Sequence, residues 1–168
     1  RRAVVENPDN PVTDAKVALG RMLYYDKRLS ADNTVSCNSC HDLASFGDDG
    51  AKNSSGIKGQ HGGRSAPTVY NAALHLSPFW DGRAKDVEEQ AKGPVLNPIE
   101  IGMTDGVAVI AKLKAVAGYP EKFAAAFPGE ADSMTYDNLG KAIGAFERKL
   151  LTPGRFEKFL AGDQAALT

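Results

Sequence analysis

The chain of 168 residues holds two cysteines and three histidines, and three of those five side chains fall in one run, Cys37-Asn38-Ser39-Cys40-His41. Thiols three positions apart on a helical turn stand on one side of it, and an imidazole directly after the second thiol is carried with them. Cys-x-x-Cys-His is the attachment signature of c-type haem. The two thiols add across the vinyl groups on one porphyrin edge, and the adjacent histidine becomes the proximal iron ligand. The spacing therefore predicts one covalent haem c on Cys37 and Cys40, with His41 on the iron. A disulfide framework would need more cysteines, spread wider apart, and a thioredoxin-type pair would need a βαβ pattern. Zinc on Cys37, Cys40, His61 and His75 is the rival. Those histidines stand fourteen positions apart, whereas a finger separates its histidines by about three to five residues.

The opposite face of the iron has five candidate ligands: His61, His75, Met22, Met103 and Met134. Met22 falls on the apolar face of a helix and reads as core, and Met134 sits at a helix entrance. His75 follows Leu74 at a helix end. His61 lies in Gly56-Ile57-Lys58-Gly59-Gln60-His61-Gly62-Gly63, whose four glycines let a loop approach the iron or move away. Composition favours His61 over His75 without deciding between them.

The elements that must position these residues read as helices joined by long connections. Thr13 or Asp14 caps a helix to Tyr25, with Val17, Leu19, Met22 and Leu23 as apolar positions. Asp26 to Arg64 is mostly loop, with one turn of helix around Cys37 to Leu43. Pro67 opens a helix over Thr68 to Leu74. Asp86 starts another that stops near Gly93-Pro94. Thr104 precedes an amphipathic helix with Val107, Ile110, Leu113 and Val116, and Pro120 to Phe127 forms a short one. Thr135 caps the clearest helix, with Tyr136, Leu139, Ile143, Phe146 and Leu150 along one face. A last short helix covers Arg155 to Ala161. No alternating run marks a strand, so the fold class is all-α: a cytochrome c-like helical domain whose long loops wrap a covalently attached haem. So long a loop in a compact domain serves a function or a ligand.

Twenty basic and twenty-one acidic residues leave a net charge of −1, which gives no footprint for nucleic acid or an anionic membrane. No apolar run is long enough to span a bilayer. Haem c attachment takes place outside the bacterial cytoplasm, so a periplasmic protein is expected. Arg1-Arg2-Ala3-Val4-Val5-Glu6 then reads as a mature start with the signal already removed. From the residues alone, Glu100 reads as a surface carboxylate and Gln90 as an exposed helix residue. Trp80, the single tryptophan, reads as a core aromatic beside Phe79. Lys85-Asp86 and Glu88-Glu89 read as a solvated helix face.

Longer stretches resemble the N-terminal, peroxide-reacting haem domain of the bacterial dihaem cytochrome c peroxidases. They are Leu19-Gly20-Arg21-Met22-Leu23-Tyr24-Tyr25-Asp26, Ser36-Cys37-Asn38-Ser39-Cys40-His41, Ala66-Pro67-Thr68-Val69-Tyr70-Asn71 and Phe79-Trp80-Asp81-Gly82-Arg83-Ala84. Further on come Glu89-Gln90-Ala91-Lys92-Gly93-Pro94-Val95, Asn97-Pro98-Ile99-Glu100-Ile101-Gly102-Met103 and Leu151-Thr152-Pro153-Gly154.

The resemblance implies that residues 1–168 are one cytochrome c-type haem domain, the N-terminal half of a longer protein. The second Cys-x-x-Cys-His, with the electron-transferring haem, is absent from this chain. It implies haem-dependent reduction of hydrogen peroxide to water, with electrons from a small c-type cytochrome or other redox protein. It also implies a homodimer when the protein is complete. The family's loop histidine, which closes the peroxide-reacting iron in the resting enzyme, maps to His61. Its catalytic glutamate maps to Glu100, an associated glutamine to Gln90, and a tryptophan on the route between haems to Trp80. Opening of the loop follows reduction of the other haem in the family, so the domain alone is expected to be weakly active. The family's interdomain calcium site often has Asn where this chain has Ser65, which leaves calcium open. A monohaem electron-transfer cytochrome, permanently six-coordinate and without substrate, is the alternative from another functional class.

Overall fold

A computed structural model describes residues 5–167. The expected mature start at Arg1 to Val4, and Thr168, lie outside them. The described chain is helical, with a single antiparallel bridge, between Ser55 and His61, and no longer strand among these residues. The helices are α1 (Asp14–Tyr25), α2 (Cys37–Cys40), α3 (Val87–Leu96), α4 (Gly106–Lys114), α5 (Tyr119–Ala126), α6 (Tyr136–Glu147) and α7 (Arg155–Leu160), with short 3₁₀ turns between them.

Helix α6 is the axis of the packing, with α1 and α3 against it and α5 against α1. Thr13 and Thr135 cap α1 and α6 by accepting the backbone N–H of Lys16 and Asn138, as their positions predict. The apolar spacing is what closes the core. Leu19 and Leu23 of α1, Val95 of α3, Leu113 of α4, Phe123 of α5, and Leu139 and Ile143 of α6 are all buried in one cluster. Backbone approach is closest where side chains are smallest. A Cβ on Gly20 would stand 1.9 Å from the carbonyl oxygen of Ala142, so α1 lies directly on α6. Gly140 and Gly144 likewise admit Glu88 and Lys92 of α3.

Four expectations need correction. The segment Pro67 to Leu74 is not a helix: only Ala72–Leu74 makes a 3₁₀ turn, after Asn71 in the left-handed region at φ 61°. Val69 N–H instead bonds to the Gly47 carbonyl, and Asn71 N–H to that of Leu150, so long-range partners hold the stretch extended. Helix α3 does not stop at Gly93-Pro94 but runs to Leu96. The N–H groups of Ile101 and Met103 fold back onto the carbonyls of Pro94 and Val95, and Val95 is fully buried. Helix α6 ends at Glu147, short of Leu150, because the N–H groups of Lys149 and Leu150 close tight turns onto the Phe146 and Glu147 carbonyls.

The fourth correction concerns Glu88, which is not part of a solvated face. It is buried and takes Arg148 through both oxygens, Nε at 2.8 Å and a terminal nitrogen at 2.7 Å, with Asn10 Nδ2 at 2.9 Å. Burial by itself would raise the Glu88 carboxyl, but the hydrogen bonds from Arg148 and Asn10 outweigh it and hold it below the ordinary carboxylate range.

Candidate active site

Helix α2 is a single turn. The His41 N–H returns to the Cys37 carbonyl at 3.0 Å, and Ser39 Oγ accepts the Ser36 N–H at 3.0 Å. The turn sets Cys37, Cys40 and His41 side by side, as the i, i+3, i+4 spacing requires. Both thiols are free and half-buried. Burial pushes the Cys37 thiol up to about 12, and burial followed by the charge of Asp49 raises Cys40.

His41 is fixed from two sides. Its Nδ1 lies 2.9 Å from the Pro67 carbonyl, and its own carbonyl accepts the Tyr24 hydroxyl at 2.5 Å. A carbonyl only accepts, so Nδ1 carries the proton and Nε2 keeps its lone pair. Burial lowers the imidazole's pKa, which keeps the ring in the neutral form that ligates a metal.

The His61 loop is a compact unit docked on its surroundings. The Gly56 N–H bonds to the Gln60 carbonyl at 2.8 Å and the Gly62 N–H to that of Ser54 at 3.2 Å. Ser55 joins the loop to the attachment turn: its Oγ lies 3.2 Å from His61 Nδ1, and its carbonyl 3.9 Å from Cys40 Sγ. In both histidines Nδ1 is engaged, leaving Nε2 for a ligand.

The loop rests on the backbone around Glu100. Ile57 N–H donates to the Glu100 carbonyl at 2.9 Å, and Gln60 Nε2 to that of Pro98 at 3.2 Å. A Cβ on Gly56 would lie 1.8 Å from the Ile99 carbonyl oxygen, so only glycine permits this seat. Glu100 itself is half-buried. Burial raises its carboxyl above the ordinary range, against the charge of Arg83 and a 2.8 Å hydrogen bond from Asn97 Nδ2 to Oε1.

The residues expected around the site divide as follows. Cys40, the His61 loop and Glu100 are brought together. Gln90 is half-buried on α3, one turn before Gly93, where a Cβ would lie 3.3 Å from the Phe79 ring. Trp80 is 67% exposed, not a core aromatic, and its indole N–H donates to the Ser65 carbonyl at 3.0 Å. His75 is exposed, Met22 and Met103 pack against the core, and Met134 is buried in it. Among the described residues, no three His, Cys, Asp or Glu side chains gather as a metal cage, so the zinc set Cys37, Cys40, His61 and His75 does not assemble. Arg83 was not anticipated. It stacks over Phe79 with its guanidinium carbon 3.5 Å from the ring centre and pairs with Asp81, which also holds Arg64.

The donor set fits a c-type haem: two free thiols on one turn and a neutral imidazole with Nε2 available. Large apolar side chains exposed on the surrounding loops, Phe46 at 86% and Leu76 at 100%, match a domain in which a macrocycle supplies part of the core.

Residues 14–165 match the family model described as di-haem cytochrome c peroxidase. The chain belongs to that family. It is 45% identical over 163 residues to cytochrome c peroxidase Ccp of Escherichia coli K12, covering 96% of this chain and 34% of that protein. It is 46% identical over 153 residues to cytochrome c551 peroxidase of Nitrosomonas europaea, covering 89% and 44%. Among solved structures, a MauG-like protein associated with microbial copper homeostasis superposes with a TM-score of 0.86 at 33% identity, over 97% of this chain and 48% of that one. The chain therefore spans between about a third and a half of the length of these relatives. The di-haem cytochrome c peroxidase family implies haem c as cofactor, and its fold is the all-α, cytochrome c-like one described above.

Proposed function

We propose that this domain reduces hydrogen peroxide to water at one haem c, held covalently by Cys37 and Cys40 and ligated by His41. When bound, the haem supplies the iron at which peroxide exchanges electrons. The protein supplies access and the proton. With its Nδ1 engaged by Ser55, His61 would offer Nε2 to the iron while its loop is seated and withdraw it when the loop lifts. The loop is bonded to the backbone of Glu100 and Pro98, so its movement and the setting of Glu100 are mechanically linked.

Glu100 would take a proton from hydrogen peroxide and return it to the oxygen that leaves as water. Asn97 occupies Oε1, which assigns the proton to Oε2. A carboxyl raised by burial suits that work near neutral pH. Gln90 orients peroxide by hydrogen bonding without adding charge, and Trp80, exposed on the loop, stands on the path to a second haem domain. Electrons come from that domain and from a small c-type cytochrome or similar redox protein. The complete protein is a periplasmic homodimer. Ser65 donates its hydroxyl to the Ala51 carbonyl and gives its own carbonyl to the Trp80 indole. Among the described residues no helix is long and apolar enough to cross a membrane.

The observation that carries this reading is the seating of the His61 loop on the Glu100 backbone beside Cys40. The test is Glu100→Gln in the haem-loaded protein with saturating donor. Peroxide turnover should fall about 10²–10⁴-fold, the usual worth of a positioned proton donor, while the haem spectrum stays as it was. Unchanged turnover would remove Glu100 from the reaction. A haem spectrum indifferent to peroxide would favour an electron-transfer cytochrome instead.

A further inference from the structure

We propose that Tyr24 and Tyr25 form a two-step relay that carries oxidising equivalents from the haem held by Cys37, Cys40 and His41 to the protein surface. The inference rests on the functional reading above. Consecutive residues at the end of α1 point about 100° apart, so one can face inward while the next faces out. Tyr24 is fully buried, and its hydroxyl donates to the backbone carbonyl of His41, the residue that ligates the iron. Tyr25 is 44% exposed. Their rings meet edge to face with centres 5.5 Å apart. An unbroken aromatic path therefore leads from the proximal ligand to solvent.

The competing neighbour is inert. Tyr24 also meets Phe146 at 5.3 Å, but a phenylalanine ring lacks the hydroxyl that makes tyrosine readily oxidised. The other tyrosine hydroxyls are committed elsewhere: Tyr70 to the Leu43 carbonyl, Tyr119 to Asp26 and Tyr136 to the Lys92 carbonyl. The hydroxyl contacts also decide where the oxidised state comes to rest. A carbonyl oxygen cannot take up a proton, so Tyr24 passes an electron without losing its own. Tyr25 lines an open groove with Ala18, Arg21, Met22, Asp26 and Arg28, where water accepts the phenolic proton and a small reductant has access.

The balance closes. Hydrogen peroxide is the oxidant, and it takes two electrons and two protons to become two waters. Each oxidation of Tyr25 sends one electron inward through Tyr24 and one proton to solvent, so two such oxidations match one peroxide. Re-reduction of Tyr25 at the surface by a one-electron donor, the small c-type cytochrome or similar redox protein of the reading above, with uptake of a proton, resets the relay.

The test is freeze-quench EPR of the haem-loaded protein mixed with peroxide without donor, using ring-deuterated tyrosine, alongside spin trapping and peptide mass analysis. A tyrosyl signal and a trap adduct on Tyr25 are expected. Tyr25→Phe, at an exposed position, should lose both. Tyr24→Phe, which keeps the ring packing, should weaken the Tyr25 signal while the haem spectrum persists. Peroxide consumption with the adduct on Trp80 alone, a signal surviving Tyr25→Phe, or a Tyr25 signal indifferent to Tyr24→Phe would each overturn the relay and leave the peroxidase reading standing. A protein that consumes no peroxide would overturn that reading, and the relay with it.

Discussion

Glu147 shows what a single side chain can impose on this molecule. It ends α6 and is buried beside Cys37 and Tyr24. Arg148 next to it is committed to Glu88 by two hydrogen bonds and to the Val5 carbonyl by a third, so Glu147 keeps little of that charge. Burial, with the Glu88 charge adding to it and Arg148 opposing, pushes its carboxyl up to about 8 from an ordinary value of 4.5. Between those values the native state holds a proton that the unfolded chain has lost, so stability falls as pH rises through the window. Urea midpoints should therefore decline from about pH 5 to about pH 8, and Glu147→Gln should flatten the decline; a variant with the same slope as the parent would refute the assignment. The residues that sequence reading located best were those whose chemistry is local. Cys37, Cys40 and His41 declare themselves by spacing on one turn. The seating of the His61 loop on the Glu100 backbone, and the Glu88–Arg148 pair, depend on chain segments far apart in sequence, where spacing says nothing. Trp80 was read as core because tryptophan is usually enclosed, whereas here its loop holds it outward by one hydrogen bond to Ser65.

At the scale of elements, α1 with its side-chain cap and clean apolar stripe, and the capped start of α6, were legible nearly to the residue. Those decided by remote contacts were not. Asn71 was expected in a helix, yet it is locked to Thr152 by two hydrogen bonds and to Leu150 by a third. Two glycines test the element contacts directly. Gly20→Ala would force α1 off α6, since the new methyl would overlap the Ala142 carbonyl. A loss of about 1–3 kcal/mol or more is expected from such overpacking, measured by chemical denaturation; full stability would mean that the helices are not in backbone contact. Gly56→Ala would instead lift the His61 loop from its seat on Ile99 and Glu100. In the haem-loaded protein the high-spin ferric fraction should then rise, as it should in His61→Gly. In our reading the loop is a two-state gate: if closure is favoured by about 3 kcal/mol, fewer than about one molecule in a hundred is open, so small losses at the seat are amplified. A parent spectrum that is already high-spin at neutral pH would show that the loop does not close the iron.

For the whole molecule, neither the net charge of −1 nor the described helices, none of them long and apolar enough to cross a membrane, assigns a function. The positive statement comes from its irregular half. More of the described residues lie outside the helices than in them, the connecting segments expose Phe46, Leu76 and Trp80, and the two thiols and one neutral imidazole stand among them. A covalent macrocycle accounts for both the chemistry and the packing. Relatives are two to three times longer by the shares matched, and in our reading the remainder supplies the second haem and the reducing electrons. The central claim is that this chain binds one haem covalently through its single Cys-x-x-Cys-His. The most direct measurement is the intact mass of protein made in a host competent for haem c attachment, after extraction with acid acetone. We predict the polypeptide plus one haem, falling to the bare polypeptide when Cys37 and Cys40 are both replaced by alanine. A parent protein with the mass of the bare polypeptide would contradict the account.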